Sequence, residues 1–281
     1  MVDLSSRIKL STGPTFWDEA GDARRPAIVF LHGSWHDRSQ WQDVMHQMRR
    51  QFHCLAPDLL GFGNSVSTHT PTSIDMEVAH LHEFLSTLKL HPVYLVGHSL
   101  GAWIAASYTL KYPDRVRGVV AISPEGFSLT GWQKYSTLTK LLLAHPVLFK
   151  LWLKGLAATI SISDGAHPLV RSQAYWQFLS KFPTTCHLLF QRSTNEIRQE
   201  LVADRLAQFK SPLLVLQIDR DDRFTIEQSQ DYARSVRQAE YKSIKDTDPD
   251  SPDSGRQIAR EIQAFIERVQ VKIDREEVEL W

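Results

Sequence analysis

The segment Gly97–Gly101 joins an apolar run typical of a buried strand to a run with the composition of a helix. It reads Gly-His-Ser-Leu-Gly, and glycines on both sides of Ser99 predict a sharp strand-to-helix turn with no room for side chains at those two positions. Such a nucleophile elbow presents its serine hydroxyl at the end of a sheet. It also places the backbone N–H of Leu100 at a helix start, where negative charge is stabilised. We therefore predict Ser99 as a nucleophile and the Leu100 amide as half of an oxyanion hole.

Composition favours a globular chain with a substantial core, because 42% of the 281 residues are hydrophobic and 23% are charged. Basic and acidic residues both number 32, so a formal net charge of zero gives no long-range field for nucleic acid or an anionic membrane. The N-terminus lacks a basic segment followed by an apolar one, and no apolar stretch reaches the roughly 18 residues that span a bilayer. We expect a cytoplasmic protein with a small apolar partner and no stable membrane insertion. Cys54 and Cys186 are expected to be free.

Short apolar runs alternate with longer amphipathic segments along most of the chain. Runs typical of buried parallel strands are 27–31, 53–56, 93–96, 118–122 and 213–216. Helical patterns cover 39–50, 74–89, 100–112 and 255–269. An antiparallel hairpin at the sheet edge is predicted near the start of the chain, with Gly13-Pro14 as its turn. These patterns predict an α/β sheet with helices on both faces.

The strand rhythm stops between about residues 126 and 209, where the chain becomes helical in pattern and rich in Leu, Trp and Phe. We predict that 126–209 is a helical cap inserted into a core formed by 1–125 and 210–281. Most of the aromatic side chains of the cap are expected to pack it onto the core, and some to contact a substrate.

A second motif, Phe30–Trp35, follows a predicted buried strand, and the carboxyl ends of strands line the ligand crevice of an α/β sheet. The backbone N–H of Ser34 is predicted as the second oxyanion donor. Trp35 and His98 are predicted to contact the substrate. Asp58 follows the next strand and is expected to organise a glycine-containing loop beside the crevice.

Together these motifs resemble the α/β-hydrolase superfamily, in the capped branch of esterases, epoxide hydrolases, haloalkane dehalogenases and carbon–carbon bond hydrolases. The resemblance covers nearly the whole chain. It rests on His32–Ser34, Asp58–Ser65, Gly97–Gly101, Tyr112–Val116 and the acidic loop after Leu216. It implies an eight-stranded, mostly parallel sheet with a cap insertion, and neither cofactor nor metal is expected. Serine at the elbow, where dehalogenases have aspartate, favours ester, thioester, lactone or carbon–carbon cleavage through an acyl-enzyme.

The resemblance also implies a catalytic carboxylate on the loop that follows 213–216. Two ways of aligning this loop select either Asp221 or Asp222, and Asp219 is a third carboxylate there. A structural interpretation also exists, in which these aspartates cap and solvate a turn. Glu125, after the strand that ends at Ile122, takes an acid position that some relatives use, and we rank it below Asp221 and Asp222.

The catalytic histidine that the family places before its last helix is missing, because the last histidine of the chain is His187. Counting back from that helix puts Asp248 at the base position, and counting forward from the preceding strand puts Pro249 there. A serine hydroxyl needs a base to remove its proton, and imidazole suits this role because its pKa of about 6.5 lies near working pH. In a serine protease, loss of the triad histidine costs on the order of 10⁶ in turnover.

Four explanations of the missing histidine stay open. The chain is an inactive homologue that binds a ligand or a partner protein; another histidine reaches Ser99; Asp248 is itself the base; or Asp248 replaces a histidine in an otherwise active hydrolase. The histidines considered are His36, His145 and His167. The sequence therefore predicts a serine hydrolase of impaired activity on a small apolar substrate, with a catalytically inactive ligand-binding or interaction protein as the alternative.

Overall fold

The computed structural model describes residues 4–65, 73–129, 176–245 and 252–279, with side chains in the last range from 254 to 275. The strands are β1 (Leu4–Leu10), β2 (Gly13–Ala20), β3 (Ala27–Leu31), β4 (His53–Pro57), β5 (Val93–His98), β6 (Val116–Ile122), β7 (Leu213–Ile218) and β8 (Ala239–Ile244). The helices are α1 (Gln42–Met48), α2 (Ile74–Thr87), α3 (Leu100–Lys111), α4 (Pro183–Cys186), α5 (Thr194–Glu200), α6 (Arg223–Ser235) and α7 (Pro252–Glu279). Short 3-10 helices cover Arg38–Trp41, Pro113–Arg115 and Ala203–Gln208, and a π-helix covers His187–Gln191.

All eight strands form one sheet in the order β1-β2-β4-β3-β5-β6-β7-β8. The strands from β4 to β8 in that order pair in parallel, and β1 and β2 are the antiparallel edge. The predicted fold class, an eight-stranded and mostly parallel α/β sheet, is confirmed. The chain leaves β3 for β4 on one side and returns to β5 on the other, so β3 and β5 flank a switch point. In such sheets ligands bind at the carboxyl ends of the strands at this point.

Helices cover both faces of the sheet, as the sequence predicts. On one face, α1 and α7 pack with the strands into a cluster of buried apolar side chains that includes Trp41, Met45, Ile262 and Phe265. On the other face, α2 and α3 pack against each other, and α3 packs on β5. The last helix is longer than predicted, because its polar second half continues to Glu279. The first predicted helix begins as a 3-10 turn before α1.

The predicted turn of the edge hairpin is wrong by two residues. Leu10 pairs with Gly13, so Ser11 and Thr12 form the two-residue loop and Gly13-Pro14 begins β2. Side chains of α2 hold the loop there: Glu83 accepts hydrogen bonds from the backbone N–H and hydroxyl of Ser11, at 2.8 and 2.5 Å. The sequence alone shows only the local turn preference of Gly-Pro. A tertiary contact between residues 72 positions apart outweighs that preference.

The chain divides into two compact units, one of Met1–Ser128 with Gln199–Trp281 and one of Leu129–Arg198. Most of the predicted cap, 130–175, lies outside the described residues, so the cap and its bounds of 126–209 stay a prediction. Both cysteines are free and buried. Among the helices that the structure describes, none combines the length and hydropathy that crossing a membrane requires.

Candidate active site

Ser99 occupies a strained turn between β5 and α3. Its φ of 52° and ψ of −113° lie in a region that residues with a Cβ rarely adopt. The flanking glycines permit this turn, because a Cβ on Gly97 would lie 2.4 Å from the carbonyl of Gly101, and a Cβ on Gly101 would lie 2.2 Å from the Leu31 carbonyl oxygen. The elbow conformation predicted from the sequence is therefore present, and it leaves Ser99 partly exposed.

The hydroxyl of Ser99 donates a hydrogen bond to Oε1 of Glu125 at 2.7 Å. Glu125 lies on the loop after β6, and its backbone N–H donates to the carbonyl oxygen of Ser99 at 3.3 Å. Sequence analysis ranks Asp221 and Asp222 above Glu125 as the acid. In the structure, Glu125 is the carboxylate that hydrogen-bonds to the Ser99 hydroxyl, and the assignment of the acid to Asp221 or Asp222 stays a prediction.

The loop that carries Glu125 is fixed from two sides. Tyr232 of α6 donates its hydroxyl to the backbone carbonyl of Glu125 at 2.7 Å, and Gln228 of the same helix donates to the carbonyl of Pro124 at 2.7 Å. Gly126 has a φ of +84°, and a Cβ there would lie 2.2 Å from the indole ring of Trp103. Contacts with α6 and Trp103 thus set the position of residue 125, and no local sequence pattern predicts these contacts.

Burial controls the protonation of Glu125. Desolvation raises the pKa of its carboxyl above the ordinary value, and hydrogen bonds from the Ser99 and Ser34 hydroxyls lower it in part. The Ser34 hydroxyl is the longer contact, at 3.4 Å from Oε2. When ionised, a carboxylate with a raised pKa is a stronger base than an ordinary surface glutamate.

The predicted oxyanion donors are the residue that follows Ser99 and a residue on the loop that packs on the elbow. Leu100 is the first residue of α3, and Ser34 lies on the loop after β3; both are buried. A Cβ on Gly33 would lie 3.5 Å from the Cβ of Ser99 and 2.6 Å from Nδ1 of His98, so this loop packs directly on the elbow. The loop of Ser34 thus lies next to the elbow, and the role of the two amides as oxyanion donors stays a prediction.

His32 holds the loop that contains Ser34. Its Nε2 accepts from the Leu59 backbone N–H at 3.1 Å, so its Nδ1 carries the proton and donates to the Gly33 carbonyl at 2.9 Å. Burial lowers the pKa of His32 to about 4, which keeps the ring neutral. Both ring nitrogens of His32 are therefore engaged in hydrogen bonds that position the loop of Gly33 and Ser34.

Asp58 organises its loop as predicted. Its carboxylate accepts from the backbone N–H of Asn64 at 2.8 Å and from the backbone N–H of Arg38 at 2.9 Å, and it forms a salt bridge with the Arg38 guanidinium. Arg38 also bonds Asp18 of β2 at 3.0 Å. The network ties the loops after β3 and β4 to the antiparallel edge of the sheet.

The loop after β7 places its aspartates elsewhere. Asp221 accepts from the hydroxyl of Ser123 and from Nε2 of Gln217, the latter at 2.6 Å. Desolvation raises the pKa of Asp221, and those hydrogen bonds oppose the shift. Asp222 is the N-cap of α6 and accepts from the Phe224 backbone N–H at 2.8 Å. Among the described residues, neither aspartate hydrogen-bonds to Ser99.

His98 and Trp35, the predicted substrate contacts, differ in their surroundings. His98 lines a cavity of about 470 Å³ at the carboxyl ends of β6, β7 and β8, and Asp221 lies on the same wall. Its Nδ1 is 2.9 Å from Nε2 of Gln40, and desolvation lowers its pKa to about 4. The side chain of Trp35 is half-buried. The residues that line this cavity include neither Ser99 nor Glu125, and the substrate contacts of His98 and Trp35 stay a prediction.

No histidine of the described ranges hydrogen-bonds to the Ser99 hydroxyl. His36 packs its ring 6.0 Å from that of His98, and the other candidate bases, His145, His167 and Asp248, lie outside the described residues. Within the same ranges, no group of three His, Cys, Asp or Glu side chains is arranged to hold a metal ion. A serine hydroxyl that is hydrogen-bonded to a carboxylate at the start of a helix is suited to acyl transfer.

Comparison with known proteins gives one family. A family model described as "alpha/beta hydrolase fold" matches residues 26–253. The chain is 32% identical to a monoacylglycerol lipase of Homo sapiens over 105 residues, and this aligned segment covers 36% of this chain and 31% of the relative. Over 108 residues it is 33% identical to 2-hydroxy-6-oxo-2,4-heptadienoate hydrolase of Pseudomonas putida, covering 36% and 38%. The matched segment thus spans about a third of the length of these curated relatives.

Solved structures show the same fold over the whole chain. A putative lipase from Acinetobacter baumannii superimposes with a TM-score of 0.74 at 20% identity, covering 96% of this chain and 92% of that protein. A thermophilic esterase from Thermogutta terrifontis superimposes with a TM-score of 0.69 at 19% identity, covering 95% and 99%. At these identities the likeness concerns the arrangement of strands and helices.

Proposed function

Because the chain belongs to the α/β hydrolase fold family, we propose that it is a serine hydrolase that forms an acyl-enzyme on Ser99. The observation that carries the proposal is the strained backbone of Ser99, with a φ of 52° at the junction of β5 and α3. Such strain costs on the order of 1–3 kcal/mol and persists only where the surrounding structure enforces it, which is common at active sites.

In the proposed reaction, the Ser99 oxygen attacks the carbonyl carbon of the substrate. The negative charge that develops on the carbonyl oxygen is stabilised by the backbone N–H groups of Leu100 and Ser34. Collapse of this intermediate releases the leaving group and leaves the acyl chain on Ser99, and water then releases the acid.

The substrate class we propose is a small, largely apolar ester, thioester, lactone or carbon–carbon substrate. The zero net charge supports an uncharged substrate, because it offers no field that would attract an anionic or cationic one. Relatives whose names state an activity include a monoacylglycerol lipase and a (lyso)-N-acylphosphatidylethanolamine lipase, and both names describe substrates that carry acyl chains.

A fluorophosphonate probe tests the nucleophile. We expect covalent labelling of the wild-type protein, loss of labelling in Ser99→Ala, and unchanged labelling in Ser86→Ala, which alters an exposed serine that contacts Arg115. Intact-protein mass spectrometry measures the adduct. Absence of labelling in folded wild-type protein contradicts the hydrolase and supports a ligand-binding homologue.

We further propose that activity is impaired because residue 248, at the position that the family gives to its histidine, is an aspartate. Imidazole is the better base near neutral pH, so Asp248→His is expected to raise hydrolysis of p-nitrophenyl esters by orders of magnitude, provided that the variant folds. Unchanged turnover in folded Asp248→His contradicts the placement of residue 248 beside Ser99.

A further inference from the structure

We propose that Glu125 is the general base of Ser99, and that the two residues form a catalytic dyad that works without histidine. This inference rests on the proposed function, since it concerns the same serine. The Ser99 Oγ to Glu125 Oε1 distance of 2.7 Å lies within the range of about 2.6–3.2 Å over which a base takes a proton directly. In the family pattern a carboxylate assists a histidine; here a carboxylate reaches the nucleophile itself.

The other ionisable groups around the elbow are engaged elsewhere. His32 bridges Leu59 and Gly33, and His98 contacts Gln40. Asp221 accepts hydrogen bonds from two other side chains, and Asp222 caps α6. Of the described side chains, Glu125 is the one with a basic atom hydrogen-bonded to the Ser99 hydroxyl.

The position of Glu125 is fixed before any substrate binds. The Tyr232 hydroxyl and the Gln228 amide hold the backbone of residues 124 and 125, and both side chains come from α6. A base held within hydrogen-bonding distance needs no side-chain reorganisation in the transition state, which lowers the entropic part of the barrier.

The proton follows a closed path through the cycle. As the bond between Oγ of Ser99 and the carbonyl carbon forms, the hydroxyl proton moves to Oε1 of Glu125. The protonated carboxyl then gives this proton to the leaving-group oxygen as that bond breaks. In deacylation Glu125 takes a proton from water, hydroxide adds to the acyl carbon, and the proton returns to Ser99 as the acyl bond breaks. No redox partner or metal takes part.

The surroundings of Glu125 make a carboxylate a more effective base than usual. An ordinary glutamate has a pKa of about 4.3, too low to accept a proton readily from a hydroxyl near pH 7. Desolvation raises the pKa of Glu125, and the groups that hydrogen-bond to its carboxyl are the hydroxyls of Ser99 and Ser34; the Tyr232 hydroxyl bonds its backbone carbonyl. Tyr232 stays neutral, because burial and the Glu125 charge raise its own pKa.

A charge-removing substitution tests the dyad. Glu125→Gln keeps the size of the side chain and cannot accept the proton, so the rate of fluorophosphonate labelling of Ser99 is expected to fall about 10²–10⁴-fold. The matched control is Glu77→Gln, which alters another buried glutamate with a raised pKa whose Oε2 accepts from the Leu60 amide at 3.1 Å. This control is expected to label at the wild-type rate.

Rescue by a second carboxylate separates chemistry from folding. Glu125→Asp retains a carboxylate one methylene further from Ser99 and is expected to label faster than Glu125→Gln and more slowly than the wild type. Should Glu125→Gln fail to fold, as circular dichroism reports, the comparison of Glu125→Asp with the wild type still tests the dyad. Wild-type labelling rates in folded Glu125→Gln, or in Glu125→Asp, overturn it. If Ser99→Ala still abolishes labelling in that case, the proposed hydrolase stands and only the base is wrong.

Discussion

The loops after β6 and β7 each present one partly buried carboxylate to one serine hydroxyl. Glu125 accepts from Ser99, and Asp221 accepts from Ser123. In both cases desolvation raises the pKa of the carboxyl, and both serines have a positive φ, of 52° and 44°. The difference lies in the serine, because Ser99 directly precedes α3 and lies beside the loop of Gly33 and Ser34. A raised pKa alone therefore does not distinguish the two carboxylates, and the proposed role of Glu125 depends on its hydrogen-bond partner.

The two loops are expected to differ most in how far the labelling rate of Ser99 falls when the charge of each carboxylate is removed. Asp221→Asn is expected to change the labelling rate of Ser99 less than tenfold, against a loss of about 10²–10⁴-fold for Glu125→Gln, because general-base catalysis contributes about that much. Time courses of labelling, quenched at set intervals, measure the ratio of the labelling rates of the two purified variants. A loss in Asp221→Asn as large as that in Glu125→Gln would show that the two loops act as one catalytic unit.

The backbone of the β6 loop is expected to be sensitive to a single methyl group. Gly126→Ala places a Cβ at a φ of +84° and 2.2 Å from the Trp103 ring, which costs about 2–5 kcal/mol of unfolding free energy in strain and overpacking. Gly118→Ala is the control, because its Cβ would meet Phe265 at 3.2 Å without a positive φ. Urea denaturation compares the two variants, and equal stabilities contradict the strained geometry.

The smallest expected effects come from removing single hydrogen bonds to these loops. Asp222→Ala removes the N-cap of α6 and is expected to lower the free energy of unfolding by about 1 kcal/mol, with little change in labelling. Tyr232→Phe removes the bond to the Glu125 carbonyl and is expected to cost a similar ~1 kcal/mol. Thermal unfolding measures both. A hundredfold loss of labelling in Asp222→Ala would restore Asp222 as the catalytic acid.

Sequence patterns predict the sheet well because their signals are local. The buried strands are continuous apolar runs, and the elbow at Gly97–Gly101 is set by glycines whose absence would cause backbone collisions. The resemblance to a known family adds the strand count and order. Where prediction fails, as at the edge hairpin, the cause is a distant side chain such as Glu83.

The carboxylate of the site is less predictable than the serine. Glu125 is 26 residues from Ser99 and reaches it because β5 and β6 are neighbours in the sheet and α6 holds the intervening loop. The family resemblance points instead to the loop after β7, where Asp222 is the N-cap of α6. A sequence motif gives the residue types of a site, and the tertiary contacts determine which of those side chains lie next to each other.

The pH dependence of Ser99 labelling in the wild type and in Glu125→Asp tests the dyad most directly. The base must be ionised, and burial raises the pKa of Glu125, so labelling is expected to increase with pH through a midpoint above the ordinary glutamate pKa of about 4.3 and then level off. Glu125→Asp is expected to move that midpoint, because the new carboxyl has a different intrinsic pKa and environment. Superimposable profiles for the two proteins would assign the proton acceptor to another group and contradict the account.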